Sequence, residues 1–175
     1  DPIAPNPTAP DPITTEVVSR HVLAAAAEMG IVLMRTAFSP NIKERNDCST
    51  AVFNARGDVV AQAEHIAIHL GSMIGAIENV TARFDPSEIR PGDMFVANDP
   101  YTGGTHLNDV LMLHPVFFDG KLGMFAAMRC HWNDVGGMTP GSLSGRVNEV
   151  IQEGIRIEPT KICDRGVMNE PFMNL

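Results

Sequence analysis

Two histidines and one aspartate in the second half of the chain have the residue types and the spacing of a metal site. His106 and Asp109 lie three residues apart at the end of the glycine-containing segment 98–109, so a single turn or loop can direct both side chains at one centre. A hairpin predicted from Asp109 onward returns the chain at His131. Two imidazoles and one carboxylate are a ligand set that suits Zn, Mn or Fe. The competing interpretation is that His-x-x-Asp is only a turn and that His131 packs as an ordinary strand residue.

Four further residues are candidates for the same centre. Asp47 precedes a predicted strand and is a candidate fourth ligand, although an aspartate there also suits a cap or a turn. His65 and His69 are four residues apart and share one face on either a helix or a strand. We treat both as catalytic candidates, with ordinary packing as the alternative. Asp134 closely follows His131 and is a third catalytic candidate, which could orient a ligand histidine or bind the metal itself.

The composition and the absence of other motifs exclude several function classes. The formal net charge is −8, which argues against a duplex nucleic-acid binder because such proteins need a basic face. The longest apolar run covers residues 22–27, well short of the roughly 20 residues of a membrane span. No P-loop ending in Lys-Ser/Thr and no Gly-x-Ser-x-Gly motif occurs. The chain therefore shows no ATP site of its own and no sign of serine hydrolysis.

Cys48, Cys130 and Cys163 are widely spaced and odd in number. This usage argues against a disulfide framework and favours reduced thiols in a cytoplasmic protein. Cys48 and Cys130 lie beside candidate ligands, but their apolar strand surroundings are typical of buried, unreactive thiols.

The elements that would position these residues follow from the hydrophobic pattern. We predict an α+β fold in which mixed or antiparallel sheet hairpins are flanked by helices. Residues 1–12 contain five prolines and are predicted to form an arm, while residues 13–175 form the remaining unit. The predicted helices cover residues 12–37 and 72–84. The predicted strands cover residues 49–53, 58–63, 94–97, 110–118 and 121–130, the last two joined by the hairpin signal Asp119-Gly120.

Taken together, five segments resemble the hydantoinase B/oxoprolinase family, which includes the metal-bearing subunits of ATP-dependent hydantoinases, lactamases and ketone carboxylases. The resemblance runs from Asp11 to about Asn169. Its telling segments are residues 34–45, 65–73, 98–109, 131–142 and 152–157.

The resemblance implies a divalent metal held by His106, Asp109 and His131, with Asp47 as a fourth ligand and His65 and His69 nearby. It also implies a hetero-oligomer in which a hydantoinase A-type ATPase subunit, with ATP and Mg, phosphorylates a substrate oxygen. The metal-bearing subunit then hydrolyses a cyclic amide or, in the rival branch, carboxylates a ketone. Asn133 and Asp134, at a place where many hydrolases of the family have a second histidine, lean toward the carboxylase branch. A third alternative is a non-catalytic assembly subunit with a structural metal. The family's subunits are longer than this chain, so the resemblance implies the N-terminal part of a larger subunit.

Overall fold

The structure is a computed structural model, and it describes residues 11–63 and 66–174. The predicted Pro-rich arm, residues 1–12, lies outside the described residues except for Asp11 and Pro12, which begin the first helix. The candidate catalytic residue His65 also lies outside the described residues.

The helices begin and end at residues whose chemistry explains the boundary. Within the described residues they are α1 (Pro12–Thr36), α2 (Pro40–Lys43), α3 (Ala67–Arg83) and α4 (Glu170–Met173), with 3₁₀ turns at Pro86–Glu88, Pro100–Thr102 and Val150–Gln152. The Asp11 side chain accepts a hydrogen bond of 3.0 Å from the backbone N–H of Thr14 and caps α1. Ala37 leaves the helical conformation just before Ser39-Pro40, as expected ahead of a proline.

The first helix is long and mostly exposed. α1 has 25 residues, and an 18-residue window within it reaches a mean hydropathy of 1.5 while only 11% of that window is buried. By length and composition alone it could cross a membrane, although the sequence pattern predicted no span. A single helix of this kind is weak support for a span, because signal sequences and helices of soluble proteins meet the same criterion.

Seven strands form one antiparallel sheet. They are β1 (Cys48–Asn54), β2 (Val59–Gln62), β3 (Met94–Ala97), β4 (Asp109–Phe118), β5 (Lys121–His131), β6 (Thr160–Asp164) and β7 (Val167–Met168). Their order across the sheet is β2-β1-β5-β4-β3-β6-β7. The α+β prediction is confirmed, and every strand pair in the described residues is antiparallel.

β1 is buried on both faces because a helix covers each of them. On one face, Val52 packs with Ala26 of α1, and the Thr50 hydroxyl donates to the Ala26 carbonyl at 2.7 Å. On the other face, Phe53 joins Ile77 of α3 in the largest apolar cluster. At β1 the sheet therefore lies between α1 on one face and α3 on the other.

The side chains of β4 and β5 that face α3 alternate along these strands as far as the end of the sheet. Leu111 of β4 and Ala127 of β5 belong to the cluster that packs on α3. Counting by twos from these residues reaches Asp109 and His131, which are direct cross-strand partners. Both side chains therefore lie on the α3 face, beside the turn where that helix begins.

The last hairpin was not predicted from the sequence. β6 and β7 are short, and Arg165 and Gly166 join them with φ angles of 50° and 84°. Positive φ at both positions is the geometry of a type I′ hairpin turn, which is signalled by Asn-Gly or Asp-Gly. Because the first position holds Arg165, the sequence lacks that signal here.

Candidate metal centre

Five of the candidate residues converge at one end of the sheet. Asp47 immediately precedes β1, Asp109 begins β4 and His131 ends β5. His69 lies in the first turn of α3, and His106 lies in the loop before β4. The sequence spacing predicted that His106, Asp109 and His131 would meet, and the resemblance predicted that Asp47 and His69 would join them.

Asp109 is the centre of the cluster. Its Oδ1 lies 2.9 Å from Nε2 of His106 and 3.2 Å from Nδ1 of His131. Its Oδ2 lies 3.3 Å from Nε2 of His69. One carboxylate therefore faces three imidazole nitrogens.

Asp47 adds a second carboxylate at slightly longer distances. Its Oδ1 lies 3.8 Å from Nε2 of His69, and its Oδ2 lies 3.8 Å from Nδ1 of His131. Two overlapping groups have ligand atoms within 4.8 Å of one another: His106 with Asp109 and His131, and Asp47 with His69 and Asp109. Imidazole nitrogens and carboxylate oxygens at this separation fit the coordination of a divalent transition metal.

Three members of the cluster are buried and two are partly exposed. The side chains of His69, Asp109 and His131 are 3%, 4% and 10% exposed, whereas those of His106 and Asp47 are 35% and 30% exposed. A small molecule would therefore reach the centre past His106 and Asp47.

The surroundings of Asp109 keep its carboxylate ionised. Burial alone would raise the pKa of Asp109, but hydrogen bonds from His106, His69 and Thr105 outweigh burial and hold that pKa far below its ordinary value. The hydrogen bond between His106 and Asp109 also raises the pKa of His106. Asp109 is thus ionised throughout the physiological range and offers a permanent negative charge to a cation.

Neighbouring hydroxyls contact two residues of the cluster. The Ser49 hydroxyl lies 3.2 Å from Nδ1 of His69 and donates to the Ile66 carbonyl at 3.2 Å. The contact with Ser49 holds the ring of His69 so that Nε2 faces the carboxylates of Asp47 and Asp109. Thr105 donates a short hydrogen bond to Oδ2 of Asp109.

Asp134 lies apart from this cluster, in the loop after β5. Its carboxylate accepts hydrogen bonds from the N–H groups of Gly136 and Gly141 and from the hydroxyl of Ser142. The backbone bond from Gly141 is the largest influence that lowers the pKa of Asp134 to about 2. The structure therefore shows Asp134 organising a loop rather than meeting the five clustered residues.

Two buried amides hold the loops that flank the centre. Asn98 donates to the carbonyls of Leu107 and Ile155. Asn108 donates to the carbonyl of Trp132 at 2.9 Å. These bonds fix both ends of the segment that carries His106.

A family model for hydantoinase B/oxoprolinase matches residues 11–175. The chain belongs to this family. The match extends over every member of the cluster, so the cluster lies within the part of the chain that the family model covers.

This hydantoinase B-type chain is similar to relatives that carry enzyme names. It is 36% identical over 165 residues to the caprolactamase subunit beta of Pseudomonas jessenii, covering 94% of this chain and 28% of that protein. It is 37% identical over 164 residues to the 5-oxoprolinase of Saccharomyces cerevisiae, covering 93% of this chain and 13% of that protein. The chain thus spans less than a third of the length of these relatives.

Solved structures share the fold. The crystal structure of an ATP-dependent caprolactamase from Pseudomonas jessenii matches with a TM-score of 0.83 and 31% identity, covering 95% of this chain and 29% of that one. A nucleotide-free acetone carboxylase structure matches with a TM-score of 0.84 at 23% identity, covering 94% of this chain and 22% of that one. The second likeness speaks for the fold alone.

Sequence reasoning missed residues that support the site of this hydantoinase B-type chain. Ser49 and Arg129 are both buried, at 0% and 1% exposure. Each lies two positions from a clustered residue, Asp47 and His131 respectively, and the two are cross-strand partners. A polar residue on the buried face of an otherwise apolar strand was the available signal.

Proposed function

We propose that residues 13–175 form the metal-bearing portion of an ATP-dependent enzyme of the hydantoinase/oxoprolinase type. In this proposal the enzyme hydrolyses a cyclic amide, either a hydantoin or a lactam. The observation that carries the proposal is the single buried carboxylate of Asp109, which faces the nitrogens of His106, His131 and His69.

The donor set supports a resident divalent ion, with Asp47, His106, Asp109 and His131 as its ligands. Zn, Mn and Fe all suit imidazole and carboxylate donors with an open position. A cation there would supply Lewis-acid polarisation of a substrate oxygen or a lowered pKa for water.

The chain's own residues would orient the reactants around that ion. His69 is held by Ser49 on one ring nitrogen and presents the other to the centre, which suits a residue that positions or accepts a proton. His106 and Asp47 are the partly exposed members of the cluster, past which the amide would enter. His65 remains a catalytic candidate, and we assign Asp134 the role of shaping the loop through Gly141 and Ser142.

The proposal includes a partner. The chain is similar to a subunit named beta and to an ATP-dependent caprolactamase, which supports a heteromeric, ATP-dependent assembly. We assign ATP and Mg to a hydantoinase A-type ATPase subunit, which would phosphorylate the substrate oxygen before ring opening. Neither nucleic acid nor a membrane has a role in this proposal, and the expected location is the cytoplasm.

Ketone carboxylation is the second candidate. Asn133 and Asp134 follow His131, and Ser39 donates to Oδ1 of Asn133 at 2.9 Å, so a pinned amide occupies the position where many hydrolases of the family carry a histidine. An ATP-turnover assay of the complete enzyme with its partner chooses between the branches. ATP consumption with a hydantoin or lactam supports the leading proposal, whereas consumption only with a ketone plus bicarbonate supports the carboxylase.

The third candidate is an assembly subunit whose metal is structural. His106→Ala separates this candidate from both enzymes, because His106 is one of the partly exposed members of the cluster. Loss of turnover in a folded variant supports catalysis, and unchanged turnover with retained metal would assign the ion a structural role.

A further inference from the structure

One arginine is buried beside the centre. Arg129 is 1% exposed and lies on β5, two residues before His131 and on the same face. Burying a guanidinium costs free energy unless its donors are paired. Burial lowers the pKa of Arg129 to about 10, so the group is still charged at neutral pH.

The guanidinium bridges two elements that flank the cluster. Its Nη1 donates a short hydrogen bond to the Ser72 hydroxyl on α3. Its Nη2 donates to the Gly103 carbonyl at 3.1 Å. Nε has no hydrogen-bond partner among residues 11–63 and 66–174, so the two terminal nitrogens make all the contacts that hold the group.

Both contacts lead directly to residues of the cluster. The Ser72 hydroxyl, which receives the Arg129 bond, itself donates to the backbone carbonyl of His69 at 2.9 Å. Gly103 lies three residues before His106, and it sits against the backbone of α3 at Gly75 and Ala76. Arg129 therefore ties the first turn of α3, the loop before His106 and the strand that ends in His131.

We propose that Arg129 is a positioning residue for the metal centre. By fixing α3 and the loop at residues 99–105 against β5, it sets the separation between His69 and the pair formed by His106 and Asp109. The planar fork of arginine supplies two divergent donors in a fixed geometry, which the single ammonium of lysine does not. This inference rests on the proposed function only in requiring that the cluster bind a divalent ion.

The test compares three variants of the complete protein, purified with the proposed partner: Arg129→Met, Arg129→Lys and, as a matched control, Arg83→Met. Arg83 is 51% exposed and pairs with Glu158 on the surface. The readouts are the thermal midpoint, the dissociation constant for Co²⁺ added to metal-stripped protein, and the Co²⁺ absorption spectrum.

We expect Arg129→Met to fold, because methionine is an adaptable, unbranched side chain that fills the space and removes a charge whose burial costs free energy. Its Co²⁺ affinity should fall by about 10- to 100-fold with an altered spectrum. Arg129→Lys should show a smaller loss, and Arg83→Met should match the wild type. If Arg129→Met does not fold, the lysine variant decides by the same spectrum and affinity.

A folded Arg129→Met variant, or in its place the lysine variant, with wild-type Co²⁺ affinity and spectrum would overturn the inference, even if its thermal midpoint fell. That outcome would leave the proposed metal site intact. Failure of the wild-type protein itself to bind Co²⁺ would overturn the proposed function and this inference together.

Discussion

Oδ2 of Asp109 lies 3.3 Å from Nε2 of His69, although one residue begins a strand and the other lies in the first turn of a helix. The contact exists because the α3 face of the sheet continues through β4 to Asp109. This contact joins α3 to the end of β4, so the centre is built from residues of different elements rather than from one loop.

Gly103→Ala should damage both the fold and the centre. Gly103 has φ +90°, and a Cβ there would overlap the backbone of Gly75 and Ala76 in α3. The control is Gly120→Ala, where φ is +75° but no heavy atom lies within 4 Å of the added Cβ. The control should cost about 1–2 kcal/mol for the left-handed backbone alone, while Gly103→Ala should cost more and also weaken Co²⁺ binding.

Thermal midpoints and Co²⁺ titrations of the two glycine variants, made in the complete protein, provide the comparison. Equal losses of stability, with equal Co²⁺ affinity, would mean that the contact between the loop and α3 does not hold the centre.

Asp134→Ala and Ser142→Ala should impair activity to a similar extent. A carboxylate with a pKa of about 2 is a poor general base near neutral pH, and both residues hold the same loop together. Steady-state kinetics of both variants with the substrate identified by the ATP-turnover assay provide the measurement. A loss of kcat confined to Asp134→Ala, accompanied by a changed pH profile, would instead make Asp134 a catalytic residue.

The contribution of Asp93 to stability should depend on pH. Its carboxylate is fully buried and accepts hydrogen bonds from Lys161 and from the backbone of Arg90 and Arg165. Burial would raise the pKa of Asp93, but these hydrogen bonds outweigh it and lower the pKa below the ordinary value. Because the folded pKa is the lower one, the stabilisation is present above the unfolded pKa and is lost as pH falls toward the folded pKa.

Asp93→Asn should therefore cost about 2 kcal/mol at neutral pH, and the difference from the wild type should shrink as the pH falls below about 4. Thermal midpoints measured across this pH range provide the check, with Asp119→Asn in an exposed turn as the control. A difference that stays constant with pH would show that the charge of Asp93 is unimportant.

The hairpin that carries Asp109 and His131, and that His106 precedes, was predictable because its signals are local. Asp119-Gly120 fixes the turn between β4 and β5, and the alternation of strand residues then brings His131 opposite Asp109. Asp47 depends on the pairing of β1 with β5, where Cys48 lies opposite Cys130. Nothing in the sequence near Asp47 specifies that distant partner, so its place before a strand made it only a candidate ligand, and the resemblance gave the stronger reason to place it at the site.

The start of α3 was placed too late for a physical reason. The N-cap residue is Ile66, which makes no side-chain cap, so the usual signal of Ser, Thr, Asp or Asn is missing. The prediction therefore began at Ser72 and left the conformation around His69 open. Arg129 was missed because its role depends on Ser72 and Gly103, which are distant from it in the sequence.

The central claim is that the cluster around Asp109 binds one divalent metal ion. Elemental analysis of the complete native protein, purified with the proposed partner, tests this most directly, with Asp109→Ala as the variant and Asp58→Ala, an exposed aspartate paired with Arg56, as the control. We predict about one Zn, Mn or Fe per copy of this chain in the wild type and in the control, and loss of that metal in Asp109→Ala. A wild-type protein without stoichiometric metal, or an Asp109→Ala variant that retains the full amount, would contradict the account.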